Sequence, residues 1–493
     1  MLSSTAVLGG AQILMLLINV IRGKFVALIL HASGIGVMSL LTNAANTIQQ
    51  FALMGINISA VRSISQAGDT DDKGPSQALV IRLVRMLILI TSTAGLFVTL
   101  LLSPLLSELS FKSSEYTPYF LLLSLFVFFN MLGTGEATIA QGLRRYKLIA
   151  KSSIIPSVCG LFLSIPIYYI WGMQGIVPAM ILTGALYFMF IRWNFSHGSH
   201  AIPAYKARVS IRELWTGSKD IIKFGAIMMI GTLVGTITTF LIIIFIRREG
   251  SLADVGFYQA ANTITFQYTS IIFTAMATDF YPQLSSLVKE SQKEAFSYTN
   301  QQIEIVLLVI APLTMLTILA APLAIHVLLT SEFLQITTMV RLIALATIFK
   351  AACFPMDYIA YAKGDKTYIF WIETIWGNLK TFIILAGSYY FMHLDGLGYG
   401  VLCSAVIDFI VSIVLTRYRY GFKLSTLVAR LMVFVSVLGI VCLLGALIPM
   451  PSIICYGVML VTAAVSCTFC LILLDRRVGM RNLAQKLKSR RKT

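Results

Sequence analysis

Eight side chains stand where an apolar environment disfavours them: Arg22, Lys24, Asn46, Glu136, Asp279, Lys350, Lys380 and Asp408 all fall inside, or at the mouths of, long apolar runs. A charge at mid-bilayer costs about 3 kcal/mol or more unless it faces water or a partner, so each of these positions needs a reason. Arginine can fork onto phosphate oxygens and lysine acts on them as a point charge. Arg22, Lys24, Lys350 and Lys380, with the amide of Asn46, therefore suit a phosphate-bearing ligand in a hydrated chamber lined by both halves of the chain. The acids Glu136, Asp279 and Asp408 are the candidates for ion coupling. The bland reading of the same residues is interhelical pairing, for example Lys380 or Lys350 with Asp408, and snorkelling of Arg22 and Lys24 to headgroups. Further amides, among them Asn19, Asn43, Gln49, Gln50, Gln259 and Asn262, serve equally as interhelical glue or as partners for hydroxyl-rich ligands.

The elements that must carry these residues are membrane spans. Of the 493 residues 57% are hydrophobic and only 12% charged, which excludes a chain folding around a water-facing surface. Crossing a hydrocarbon core takes roughly 20 apolar residues as helix. Runs of that length cover 5–30, 36–58, 80–102, 119–141, 148–170 and 173–193, then 224–246, 256–280, 303–325, 339–361, 369–391, 396–416, 427–448 and 453–474. They are continuous rather than alternating, so the expected fold is all-α and polytopic, with about 14 transmembrane helices. The start MLSSTAVLGG lacks a basic leader and runs into a full-length span, which is expected to remain. All seven cysteines sit in apolar spans, and His197 and His200 read as loop residues, so neither disulfides nor a metal site is expected.

The net charge of +17 is distributed unevenly. With even spans returning to the N-terminal side, 30 of the 38 Lys and Arg gather on one set of loops and helix mouths, while the other face holds Lys112, Arg247, Arg248 and Arg341. This is the positive-inside pattern; it places both termini in the cytoplasm and removes the need for a nucleic-acid partner.

An internal repeat organises the spans. Gly36 matches Gly256, Gln141-Gly142-Leu143-Arg144-Arg145-Tyr146 matches Lys363-Gly364-Asp365-Lys366-Thr367-Tyr368, and Gly175 matches Gly396, at offsets of 220, 222 and 221. Six spans per unit make parallel repeats, each expected to be a six-helix bundle. The expected domains are 1–200, a cytoplasmic linker 201–223, 224–420, two appended helices within 421–475 and a basic tail 476–493. Loops are short, and no phosphate-binding loop, nucleophile elbow or paired acidic loop motif occurs, so neither an enzyme nor a cofactor is expected.

Several stretches carry a family likeness: Arg22-Gly23-Lys24-Phe25 ending the first span, Gly34 to Gly36, Gly55 to Arg62, Ala140-Gln141-Gly142 with Tyr146, Val255-Gly256-Phe257-Tyr258-Gln259-Ala260-Ala261, and Tyr281-Pro282-Gln283-Leu284-Ser285. In their order and spacing the chain resembles the oligosaccharide flippases (Wzx-type polysaccharide exporters) of the multidrug/oligosaccharidyl-lipid/polysaccharide (MOP) superfamily. The resemblance implies an oligosaccharide on polyprenyl pyrophosphate as substrate, turned from the cytoplasmic to the outer leaflet of the bacterial inner membrane, and a polysaccharide polymerase as partner. It places Arg22, Lys24, Lys350 and Lys380 at the diphosphate or at acidic sugars. The alternatives are a cation-coupled multidrug exporter of the same superfamily and a peptidoglycan-precursor flippase.

Overall fold

A computed structural model describes residues 2–67, 77–197, 211–447 and 452–478. The Asp69 to Asp72 cluster, His200, Pro203, residues 201–210 of the expected linker and residues 479–493 of the basic tail lie outside the described residues. No described residue is in a β-strand. The helices run in order: α1 (Leu2–Leu53), α2 (Ile56–Gln66), α3 (Gln77–Phe111), α4 (Thr117–Gly142), α5 (Tyr146–Trp171), α6 (Ile176–Ser196) and α7 (Ile211–Glu249). They continue as α8 (Leu252–Glu290), α9 (Gln292–Leu328), α10 (Thr337–Lys363), the short α11 (Lys366–Tyr368), α12 (Gly377–Tyr420), α13 (Thr426–Leu447) and α14 (Ser452–Val478). A π-helical segment, Ile369–Trp376, joins α11 to α12. In lipid the backbone must pair within its own segment, which is why apolar runs of this kind become helices.

Among the described residues, ten helical stretches are long and apolar enough to cross a membrane. Three of them, of 44, 51 and 55 residues, are about twice the length of a single crossing. Each is broken once by a residue of positive φ: His31 (φ 58°), Gly172 (φ 55°) and His393 (φ 50°). Counting each broken stretch as two crossings, and adding α8, gives a helix to each of the fourteen expected spans.

The chain divides into two compact units, residues 1–256 and 257–493. In the first, α4 lies between α3 and α6, α1 packs on α5, and α7 packs on α1, α2 and α3. From Ile211 onward the stretch expected to be a linker is already α7, helical through to Glu249. In the second unit α10 is central, packed on α9 and α12, and 78% of its most apolar window is buried. The two additional helices, α13 and α14, lean on α9 and on each other, burying Val435, Cys442 and Met459 against Leu307, Met315 and Ile348.

Backbone geometry shows the repeat in more detail than the motifs do. A Cβ on Gly36 would lie 1.9 Å from the Leu252 carbonyl oxygen, and one on Gly256 would lie 1.9 Å from that of Ala32. Both the glycines and the carbonyls are 220 residues apart, so the contact between α1 and α8 is reciprocal. Helices α4 and α10 begin at Thr117 and Thr337, again 220 apart, after residues of nearly identical conformation. The loop that follows also keeps this offset: Arg144 (φ 56°) corresponds to Gly364 (φ 66°), and the amides of Arg145 and Asp365 bond to the carbonyls of Ala140 and Ala360. The motif match at 222 is therefore out of register by two residues. Beyond the π segment the offset becomes 221, linking Gly172 to His393 and Gly175 to Gly396. Gly175 packs on the Ile167 carbonyl as Gly396 packs on that of Ser388, also 221 apart. A π turn accommodates one extra residue within a helix, which accounts for the change.

Candidate functional site

The first unit holds two groups of charges. Arg22, half-buried on α1, donates from Nη2 to the Ser157 carbonyl oxygen on α5 at 3.2 Å. Gly160, one turn further along α5, makes room for it: a Cβ there would lie 3.4 Å from Nη2. The Nε of Arg22 is buried and has no partner among the described residues. A five-donor group anchored by one bond, with another donor unsatisfied, has capacity for an anion or water. Lys24 is half-buried and Asn46 exposed.

Glu136 on α4 has a different environment. Arg85 of α3 forks onto its carboxylate through Nε (3.0 Å) and Nη2 (2.9 Å), and Arg192 of α6 adds Nη1 at 3.1 Å. The Glu136 side chain is 7% exposed. Arg85 also lies over the Phe195 ring, 5.7 Å from its centroid. Two guanidinium groups on one buried carboxylate join three helices, which suits a structural tie better than a site that must take up and release a cation.

In the second unit Lys380 of α12 is buried and ion-paired to Asp408, lower on the same broken helix, and donates to the Ser404 carbonyl oxygen at 3.3 Å. Lys380, expected at a diphosphate, and Asp408, expected among coupling residues, therefore neutralise each other. Lys350 of α10 sits over the Phe266 ring at 4.5 Å from its centroid and interacts electrostatically with Asp408 and Lys380. Two acids that sequence reasoning passed over join this cluster. Asp357 accepts the Ser412 hydroxyl at 2.9 Å and interacts with Glu373, whose Oε1 is buried without a partner among the described residues. A spacing signal was present: Asp357 is seven residues after Lys350 and Glu373 seven before Lys380, two helical turns in each case. The described cluster thus has two lysines and three carboxylates, so it does not present an uncompensated cationic surface.

Asp279, in the last third of α8, is exposed and accepts from Gln283 at 3.5 Å. At the same end of the second unit, the loop after α10 is clasped by Asp365. Its carboxylate accepts a two-pronged contact from Arg419, the Tyr420 hydroxyl at 2.8 Å and the Tyr368 amide at 3.1 Å. The Arg419 guanidinium holds the Asp365 carboxyl well below the usual carboxylate range.

Comparison with known proteins decides the family. The family described as polysaccharide biosynthesis protein matches residues 25–338, well over half of the chain. The chain belongs to this family. Asn46, Glu136 and Asp279 fall inside the matched part of the chain; Arg22, Lys24, Lys350, Lys380 and Asp408 fall outside it. No curated protein matches the chain by sequence. Among solved structures, a MOP superfamily transporter from Pyrococcus furiosus is similar, with a TM-score of 0.59 at 15% identity, over 85% of this chain and 95% of that one. An inward-facing multidrug resistance transporter of the MATE family gives a TM-score of 0.58 at 15% identity over the same shares. A MATE transporter of Vibrio cholerae gives 0.52 at 16% identity, over 85% and 99%. The fold of the chain is therefore like that of these MOP superfamily transporters, a multi-pass helical membrane fold, in agreement with the resemblance read from the sequence.

Proposed function

We propose that the protein is a flippase that carries a polyprenyl-pyrophosphate-linked oligosaccharide repeat unit from the cytoplasmic to the outer leaflet of the bacterial inner membrane, for assembly into surface polysaccharide. The observation that carries this reading is the family match over 25–338 in a chain whose fold is that of the MOP superfamily. Family and fold are both outside enzyme chemistry, and the chain's own charges are suited to binding rather than bond making. Arg22, with its unfilled donor capacity, is the residue we place against the diphosphate, with Lys24 and Asn46 further along α1. Lys350, which has an aromatic neighbour and a shared acid rather than a dedicated counterion, is the corresponding residue of the second unit. Lys380 positions Asp408. Ion coupling is placed on Asp357 and Glu373, whose carboxylates have no arginine partner among the described residues. The basic loops and both termini face the cytoplasm in this reading.

A second reading, a cation-coupled multidrug exporter, is favoured by the fold likeness to MATE transporters, one of them described as a multidrug resistance protein. A deletion strain separates the two. Lipid-linked oligosaccharide that accumulates on the inner leaflet, with surface glycan lost and restored by the wild-type gene, supports the flippase. Normal glycan together with increased sensitivity to cationic drugs supports the exporter.

A further inference from the structure

The turn between α12 and α13 bounds a partly open cavity of about 250 Å³ lined by Ile413, Arg417, Phe422, Lys423 and Leu424. The turn is firmly built. Gly421 takes φ 76°, its amide bonding back to the Arg417 carbonyl oxygen at 3.0 Å, and the Phe422 amide reaches the Thr416 carbonyl oxygen at 3.3 Å. Phe422 is buried edge-on against Phe296 of α9, with ring centroids 5.4 Å apart. Asn300 of α9 then clamps the next residues, donating to the Lys423 carbonyl oxygen (3.1 Å) and accepting the Ser425 amide (2.7 Å). The cavity walls are therefore fixed by bonds to a second helix.

Its charges are not balanced in the same way. Neighbouring cations are engaged: Arg419 grips Asp365, Arg477 donates to Glu304 at 2.9 Å, and Lys363 lies over Tyr420. The side chains of Arg417 and Lys423 have no ion-pair or hydrogen-bond partner among the described residues, and no acid lines the cavity. Two like charges around one cavity at the edge of a low-dielectric region repel unless an anion lies between them. Arg417 stands three residues before the end of the last α12 crossing at Tyr420, with the apolar Ile413 one turn deeper and Tyr418 90% exposed beside it, an aromatic suited to the headgroup level. A cavity holding on the order of eight water volumes accepts a phosphodiester, and its apolar side accepts the first methylenes below one.

We infer that this cavity is a binding site for the phosphodiester headgroup of an anionic phospholipid, held by Arg417 and Lys423 against Phe422 with its chain along Ile413 and Leu424. The site lies outside the cluster assigned to transport and does not depend on that assignment.

The test uses the full-length protein in detergent, titrated with dioleoyl phosphatidylglycerol, dioleoyl phosphatidylcholine or inorganic phosphate and read by native mass spectrometry. The wild type is expected to take up phosphatidylglycerol in preference to phosphatidylcholine, with the first binding step weakened about tenfold in Arg417→Gln/Lys423→Gln. Lys147→Gln/Lys151→Gln, which removes two basic residues of the first unit, leaves that step unchanged. Inorganic phosphate competes only weakly, because it lacks the chain. Equal binding by wild type and the Arg417/Lys423 variant, equal loss in both double variants, equal uptake of phosphatidylcholine, or displacement by phosphate at concentrations matching the lipid each overturn the inference. Size-exclusion profiles identify a misfolded double variant, in which case the single Lys423→Gln variant, on the outer part of the turn, decides the question by the same titration.

Discussion

Gly36 and Gly256 occupy each other's side-chain space: a methyl group on either would lie 1.9 Å from a carbonyl oxygen of the opposite helix, at Leu252 or at Ala32. Because the obstacle is backbone rather than a flexible side chain, alanine at either position forces α1 and α8 apart. Overpacking of this kind costs about 1–3 kcal/mol. Gly36→Ala and Gly256→Ala are expected to melt several degrees below the wild type in fluorescence-detected size exclusion, by similar amounts. A wild-type melting curve for either would mean that the helices are not in contact there.

The Lys380 and Asp408 pair separates packing from transport. Asp408→Asn leaves a buried ammonium without its counterion, a loss of about 3–5 kcal/mol in comparable pairs. Lys380→Met/Asp408→Leu removes both charges and is expected to recover most of that stability. If the double variant melts like the wild type and also exports glycan normally, the pair is purely structural; loss of glycan at normal protein levels assigns it a part in transport.

Arg22 and Glu136 are expected to fail in opposite ways. Glu136→Gln weakens the hold on two guanidinium groups at a position only 7% exposed, so protein yield and melting temperature fall together. Arg22→Ala gives up one hydrogen bond to a carbonyl and keeps its neighbours, so yield is retained while surface glycan drops at least several-fold. Immunoblots of membranes alongside glycan staining distinguish the two patterns; wild-type glycan in Arg22→Ala removes that residue from the substrate path.

Asp365 supplies a pH dependence whose direction is determined. Its folded-state carboxyl titrates below its unfolded value of about 3.9, so the clasp contributes stability above that pH and loses it as the pH falls through the folded value. Asp365→Asn is expected to melt lower than the wild type at pH 7, with the difference narrowing as the pH is lowered below about 4. A difference that is constant from pH 7 to pH 3 would show that Arg419 is not its partner.

Much of the fold was legible from hydropathy alone, because lipid requires continuous apolar helices and the fourteen spans are long. The repeat was visible in Gly36 with Gly256 and in Gly175 with Gly396, where backbone approaches backbone and no other residue fits. The candidate site was less legible. Arg85 and Arg192 counted as orientation charges at helix mouths, yet both reach inward to Glu136, from positions 51 and 56 residues away that periodicity does not connect. Asp357 and Glu373 were passed over because their partners lie on other helices. The breaks at His31 and His393 fall in the gaps expected between spans, 30–36 and 391–396; what the sequence did not show is that the helix turns at a single histidine of positive φ rather than through a loop. The pairing of Lys380 with Asp408 was one of the alternatives open from the sequence, and helix positions alone could not choose it.

The π segment makes the two halves of the chain unequal in length in a way that composition conceals. One residue more than in the first half is taken up between Ile369 and Trp376 by a widened turn in which the Thr374 hydroxyl bonds to the carbonyl five residues back, at 3.0 Å. Because the widened turn absorbs that residue, the faces beyond it stay aligned with their counterparts at an offset of 221: Gly396 packs on the Ser388 carbonyl as Gly175 packs on that of Ile167. A chimaera that crosses Ile369 therefore keeps its faces in phase only when the extra residue and the widened turn travel together; exchanged at a constant offset of 220, the downstream helix would turn its faces by about 100°.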